Sequence, residues 1–195
     1  GVTVRRFVSR VALQKVNNAL PASYGAMTIN NVTLINVVGN QNLAGAATAS
    51  TWYNKMGRKD GATASNQIID GSTYLASHPT LTFKSVESSV ASGASHTPTT
   101  PYLFYTFPNS TSNDVTGWAT SFTARKTRLV VAATIGGKKY YYPVVIDTPS
   151  RNNAYTVELT ITGLGSPDPD TPVVKGSVNA SITVLGWTSG TVYEE

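Results

Sequence analysis

The sequence predicts an all-β protein, an antiparallel β-sandwich of about seven strands with long loop insertions. The composition favours strands, because Thr, Ser, Asn, Gly, Val and Tyr are abundant while the good helix formers Glu, Leu, Lys and Met are scarce. Apolar and polar residues alternate with a period of two in several short segments. Glycine and proline separate these segments, without the alternation of strands and helices that would indicate a parallel sheet.

Size and apolar content indicate one folded domain. The chain has 195 residues, of which 41% are hydrophobic and 13% are charged, a balance that favours a globular chain over a disordered one. We expect residues 1–187 to form a single β-sandwich domain. Residues 188–195 are expected to form a C-terminal tail outside its core.

The opening segment, residues 4–13, is ambiguous. Its apolar residues fit one face of a helix, but Phe7, Val11 and Leu13 also share one face of a strand. We interpret the segment as a strand, because β-branched residues are frequent in it and no capping residue announces a helix.

Two further strands and two long loops are predicted before residue 101. Residues 28–38 form a strand that ends at Gly39, and residues 81–86 form a short strand. Residues 40–71 form an unusually long excursion of small polar residues. Residues 88–100 are expected to form another loop.

The clearest local signal is a β-hairpin. Residues 129–135 and 138–146 are two apolar runs that flank Gly136 and Gly137. Two consecutive glycines supply the positive φ angles of a tight primed turn, so the runs should pair antiparallel.

The last two strands are separated by a proline-rich connector. Residues 155–161 alternate as a half-buried strand does, and residues 165–172 cannot continue a ladder because each proline lacks a donor. Residues 177–187 form the last strand. One of its faces carries Val178, Ala180, Ile182 and Val184.

No set of residues predicts catalysis. The absence of cysteine excludes disulfides, thiolate metal sites and a cysteine nucleophile. His78 and His96 lack a supporting carboxylate in the sequence and are interpreted as exposed loop residues. Asp168 and Asp170 are interpreted as turn residues beside prolines, not as calcium ligands. We therefore predict no catalytic, cofactor-binding or metal-binding residues and no enzyme activity.

The charge pattern does not indicate nucleic-acid binding. The net charge is +5, but the fifteen basic residues are spread along the chain. The cluster of Arg5, Arg6, Arg10 and Lys15 is interpreted as the solvated face of the opening strand. No apolar run is long enough for a transmembrane helix, so we expect a soluble protein whose signal, if it was exported, has been removed.

Most aromatic residues are interpreted as packing partners within strands, as at residues 102–105 and 140–142. Trp52 and Tyr53 differ, because they lie in the long excursion. There they could present aromatic surface to a sugar. A surface glycan-binding module is therefore kept as the alternative function.

Two parts of the sequence resemble a known family. Residues 140–144, 152–155 and 159–165, followed by the Pro-Asp connector and the closing strand to Trp187, are similar to the end of the Porphyromonas major fimbrillin. Residues 4–13 are similar to the basic and apolar segment that begins the C-terminal domain of that family. The chain thus resembles the C-terminal domain of a Bacteroidales type V pilin, whereas its middle does not align.

The resemblance implies a transthyretin-like sandwich in an extracellular fimbria attached to the bacterial outer membrane. Subunits of that family are exported as lipoproteins, lose their N-terminal strand to a protease, and receive a C-terminal strand from the neighbouring subunit. The implied partners are neighbouring pilin subunits, with a host or bacterial surface protein or glycan as a further candidate. The half of the family pattern that carries the lipidated cysteine, the cleaved strand and the acceptor groove has no counterpart in these 195 residues. The tail beyond Trp187 is short and ends in two glutamates, which weakens a stalk role and leaves a tip or accessory pilin open, so the sequence does not distinguish stalk, tip and anchor roles.

Carried onto this chain, the resemblance implies a donor segment from about residue 182 onward. A donated strand satisfies the unpaired backbone groups and the apolar slot of an incomplete sandwich at the same time. Residues 178–184 are expected to close the domain's own sheet while the tail reaches outward. The side chains available to occupy a neighbour's slot are Ile182, Val184, Leu185, Trp187, Val192 and Tyr193.

Overall fold

The chain folds into β-strands, and the all-β prediction is confirmed. A computed structural model describes residues 6–41, 49–56, 82–114, 122–173 and 176–186. Within these residues there is one 3-10 turn, and no helix is long and apolar enough to span a membrane. The strands are β1 (Ser9–Asn18), β2 (Met27–Ile35), β3 (Val37–Val38), β4 (Trp52–Tyr53), β5 (Phe83–Val90), β6 (Ser95–His96), β7 (Tyr102–Thr106), β8 (Arg128–Ile135), β9 (Lys138–Val145), β10 (Asn153–Ile161) and β11 (Val178–Gly186).

The strands form two main sheets and a small ribbon. Sheet A has the order β11-β10-β1-β6, and β7 also pairs with β1 on the β6 side. Sheet B has the order β5-β2-β8-β9, and β3 pairs with β4. All pairs are antiparallel except β1 with β10, which run parallel from Arg10 and Ala154 to Asn18 and Ile161. Parallel neighbours need a long connection, which here contains all the strands that lie between them in the chain.

The hairpin of β8 and β9 has the predicted turn. Gly136 and Gly137 have φ angles of 57° and 76°, a conformation that residues with a side chain rarely adopt. The pairing runs from Ile135 and Lys138 to Arg128 and Val145, so the prediction is confirmed.

One apolar core lies between the inner faces of the two sheets. β8 contributes Leu129, Val131 and Ala133 to this core, while Val130 and Ala132 point to the opposite face of sheet B. There they form a second cluster with Ile35, Met56 and Tyr141. Because both faces of its centre are covered, β8 has a continuous apolar sequence instead of an alternating one.

Several predicted boundaries were wrong. The strand expected over residues 28–38 divides at Asn36, whose φ of 53° turns the chain out of sheet B so that β3 can pair with β4. Residues 88–100 do not form one loop, since β5 continues to Val90 and β6 follows at Ser95–His96. These are edge strands of small polar residues, so they lack the apolar alternation that reveals a strand. Much of the long excursion lies outside the described residues, but its residues 52–53 are strand β4.

Candidate functional site

The last strand, β11, lies at an edge of sheet A. It pairs with β10 along its whole length, from Val178 opposite Ile161 to Gly186 opposite Asn153. The prediction that residues 178–184 close the domain's own sheet is therefore confirmed. Ile182, Val184 and Leu185 of the predicted donor segment belong to this paired strand, whereas Trp187, Val192 and Tyr193 lie outside the described residues.

The side chains of β11 contribute little to the core. Its apolar face has the predicted residues, because Ile182 and Val184 lie beside the inward-facing Val157 and Tyr155 of β10. Val157 is fully buried, but Val184 is 50% exposed and Leu185 is 61% exposed. The half-buried residues Val178 and Ile182 are those that pack against the core. β11 is therefore held mainly by backbone pairing.

The edge formed by β11 also differs chemically from the other sheet edges among the described residues. Residues 178–186 contain no charge and no proline, the devices with which proteins usually protect an exposed edge. β5 carries Lys84 and a Glu87 with a φ of 46°, and β9 carries Pro143. β6 and β7 are short, with two and five residues. Among the described edge strands, β11 is therefore the long one that is least protected against pairing with another strand.

A buried ion cluster fixes the connector that leads to β11. Nη1 of Arg125 donates to Oδ2 of Asp170 at 2.7 Å, and Nη1 of Arg128 donates to Oδ1 of Asp170 at 3.0 Å. The three side chains are at most 2% exposed. Burial lowers the pKa of the Arg125 guanidinium, while the Asp170 carboxylate opposes that change. Arg128 also pairs with Asp114, whose side chain is half-exposed.

The two aspartates of the connector have different roles. Asp168 starts a turn as predicted, since its Oδ1 accepts hydrogen bonds from the backbone N–H groups of Asp170 and Thr171. The carboxylate of Asp170 has a role that the sequence did not indicate, because it is buried between two arginines. Sequence spacing could not reveal this partnership, because 42 positions or more separate Asp170 from either arginine.

Trp52 and Tyr53 form β4 and are engaged within the domain. The Trp52 indole N–H donates to the carbonyl of Ala49 at 3.3 Å, and its ring packs against Phe122 with centroids 5.3 Å apart. Tyr53 packs against the main core, and its ring also lies close to Gly39, where a Cβ would be 2.5 Å from it. Both side chains are half-buried. These contacts do not favour the interpretation that they present an aromatic surface to a glycan.

The prediction of an exposed loop histidine was wrong for His96, and His78 lies outside the described residues. His96 lies on β6, where its Nδ1 is 3.0 Å from the Ser88 hydroxyl and its Nε2 is 2.9 Å from the Tyr102 hydroxyl. Burial lowers the pKa of His96 and raises that of Tyr102. The three residues join the edge strand β5 of sheet B to β6 and β7 of sheet A, so they tie the two sheets together at this side of the sandwich.

Comparison with known proteins gives matches among solved structures. No known protein-family profile matches the chain, and no curated protein sequence is similar to it. A fimbrilin from Porphyromonas gingivalis superimposes with a TM-score of 0.54 at 16% identity, covering 94% of this chain and 58% of its own length. The chain has the fold of that protein. The resemblance seen in the sequence is thereby confirmed at the level of the fold.

Proteins assigned to cell adhesion have the same fold. The one from Bacteroides eggerthii matches with a TM-score of 0.53 at 20% identity, covering 94% of this chain and 56% of its own. The one from Parabacteroides distasonis matches with a TM-score of 0.55 at 17% identity, covering 98% and 54%. The chain thus spans little more than half the length of these proteins.

Proposed function

We propose that this chain is a structural, non-enzymatic subunit of a cell-surface fimbria that polymerises by donor-strand exchange and supports adhesion. The donated segment is the end of β11 together with residues 187–195. Its side chains are Ile182, Val184 and Leu185, followed by Trp187, Val192 and Tyr193. The observation that carries the proposal is the exposed, uncharged edge strand β11, whose apolar side chains lie largely outside the core.

β11 itself would remove few buried side chains from the domain if it were transferred to another sheet. At least half of the surface of Val184 and of Leu185 is already exposed. Within β11, the residues that pack against the core are Val178 and Ile182. The backbone hydrogen bonds to β10 would be replaced by equivalent bonds in the acceptor sheet. An acceptor slot that covers the exposed side chains would therefore favour the exchanged form.

The fold likeness supports the fimbrial role. A Porphyromonas fimbrilin and proteins assigned to cell adhesion share the architecture of this chain. We propose that the protein lies outside the cell, in a fimbrium attached to the bacterial outer membrane, with neighbouring pilin subunits as its partners. We also propose that residues 1–187 are one sandwich domain and that residues 188–195 are a tail which completes the donor.

Removal of residues 188–195 tests the donor assignment. The shortened subunit should fold normally, because it retains all of the strands described above, but it should not enter fibres. A second variant replaces the same eight positions with Gly and Ser, which keeps the length of the tail and removes its apolar side chains. Both variants should retain the thermal unfolding midpoint of the natural chain and fail in a fibre assembly assay. Normal assembly of either variant would show that the tail is not donated.

A further inference from the structure

The connector between β10 and β11 is attached to sheet B before it reaches β11. Ser166 and Tyr141 form two reciprocal backbone hydrogen bonds of 2.9 Å. They lie on the edge of β9 that does not pair with β8. Gly165 approaches the same strand so closely that a Cβ there would lie 2.6 Å from the Tyr141 carbonyl oxygen. The chain then places Asp170 over the outer face of sheet B. Its partner Arg128 lies on that face, because residues 128, 130 and 132 share one side of β8.

Asp170 is the strongest attachment of the connector. Each of its two carboxylate oxygens accepts a hydrogen bond from a different arginine, Oδ2 from Arg125 and Oδ1 from Arg128. The three side chains are almost completely buried. Charge-assisted hydrogen bonds are stronger than neutral ones, and a buried charge that loses its partner is strongly unfavourable. Withdrawal of Asp170 would leave the guanidinium groups of Arg125 and Arg128 buried without that carboxylate. We call these three residues the Asp170 clamp.

Beyond the clamp the described residues are less buried than Asp170. Thr171 and Pro172 are exposed, Val173 is half-buried and packs against the main core, and β11 is an edge strand with exposed side chains. The contacts near its start include hydrogen bonds from the N–H groups of Thr162 and Gly163 to the Ser177 carbonyl, one from the Thr162 hydroxyl to the Gly176 carbonyl, and the packing of Val178. Opening free energies within a protein vary with such local contacts, so the two sides of Asp170 should open separately.

We propose that the Asp170 clamp is the fixed point from which the donor segment is released. This inference rests on the proposed function and adds a positioning role for Arg125, Arg128 and Asp170. When β11 leaves β10, the connector up to Asp170 stays on sheet B, and the released arm begins at Thr171. The clamp thereby sets the length of chain available to reach a neighbouring subunit.

The position of the clamp fixes the reach of the arm. Residues 171–186 would span about 50 Å when fully extended, at roughly 3.3 Å per residue. An arm that began at Ser177 would span only about 33 Å by the same measure. If the connector also detached back to Gly163, the arm would be longer and its origin would no longer be held against one place on the domain.

Hydrogen exchange of the unassembled, full-length subunit, followed by mass spectrometry, tests the proposal. The backbone N–H groups of β11 should exchange at least about tenfold faster than those of Ser166 and Tyr141. In Asp170→Asn the Ser166 and Tyr141 amides should speed up by at least about tenfold, because the connector then detaches with β11. Arg125→Gln, which leaves Arg128 in place, should give an intermediate increase.

The matched control is Asp168→Asn, which removes one negative charge two positions earlier but keeps the Oδ1 acceptor of the turn. Its Ser166 amide should exchange within about threefold of the natural rate. A common exchange rate for β11 and the connector in the natural chain would overturn the proposal, whether or not the variants fold. Equal effects of Asp170→Asn and Asp168→Asn would also overturn it. These rates are measured without fibres, so a subunit that never polymerises would reject the donor-strand function while the clamp stood.

Discussion

Replacing the exposed apolar residues of β11 should weaken fibre assembly without unfolding the subunit. The test variant is Val184→Thr combined with Leu185→Thr, which keeps branched side chains suited to a strand. Val184 is 50% exposed and Leu185 is 61% exposed, so roughly half of each apolar surface remains to be buried by an acceptor. Complete burial of such a side chain contributes about 1.5–3 kcal/mol, so the exposed parts together would contribute about 1.5–3 kcal/mol on donation.

Loss of all of that free energy would raise the subunit concentration needed for assembly by roughly 10- to 150-fold, and this is an upper limit because each threonine keeps one methyl group. The concentration is measured by sedimentation of fibres at equilibrium, and subunit stability by urea unfolding, which should change by less than about 1 kcal/mol. Each single variant shows which face of the strand enters the acceptor, since Val184 and Leu185 point to opposite faces. Thr183→Ser, at an exposed position of the same strand, is the control. Assembly of the double variant within about threefold of the control would refute the role given to these side chains.

Four further outcomes follow from the packing. Leu159→Ala should cost about 2–5 kcal/mol of unfolding free energy, because Leu159 is fully buried in the core. Gly137→Val should lower stability by about 1 kcal/mol or more, since φ is 76° there, and an unchanged thermal midpoint would contradict the turn. Asp170→Asn should cost about 3–5 kcal/mol, and Asp114→Asn distinctly less because that carboxylate is half-exposed. Burial raises the pKa of Tyr142 well above its usual value, so the folded state keeps a proton that the unfolded state loses. Stability should therefore fall as the pH rises above about 10, and Tyr142→Phe should reduce that fall in unfolding titrations from neutral to alkaline pH.

The features that sequence reasoning predicted well depend on neighbouring residues. The alternation along residues 155–161 reflects a strand with one buried face, and it predicts β10 correctly. The Gly136-Gly137 turn needs only the backbone freedom of those two residues. The apolar face of β11 was likewise visible as a period of two from Val178 to Val184, because side chains alternate along any strand.

The features that it missed lie where polar residues replace the usual signals. β5 and β6 consist largely of small polar residues, so residues 88–100 were predicted as a loop. His96 looked isolated in the sequence, but the fold places the Ser88 and Tyr102 hydroxyls beside its ring. The proposed donor segment also shows this limit, because its apolar residues were visible in the sequence but the exposure of Val184 and Leu185 was not.

The sequence by itself determined that this chain is made of strands, where its tightest hairpin turns, and which residues of the last strand share an apolar face. Those properties follow from the preferences of each residue and its near neighbours. Only the tertiary structure decided that β1 runs parallel to β10, that β11 occupies an unprotected edge, and that Asp170 is buried between Arg125 and Arg128. Partners so distant in the chain are brought together by the packing of whole sheets, for which no local pattern of residues provides a signal.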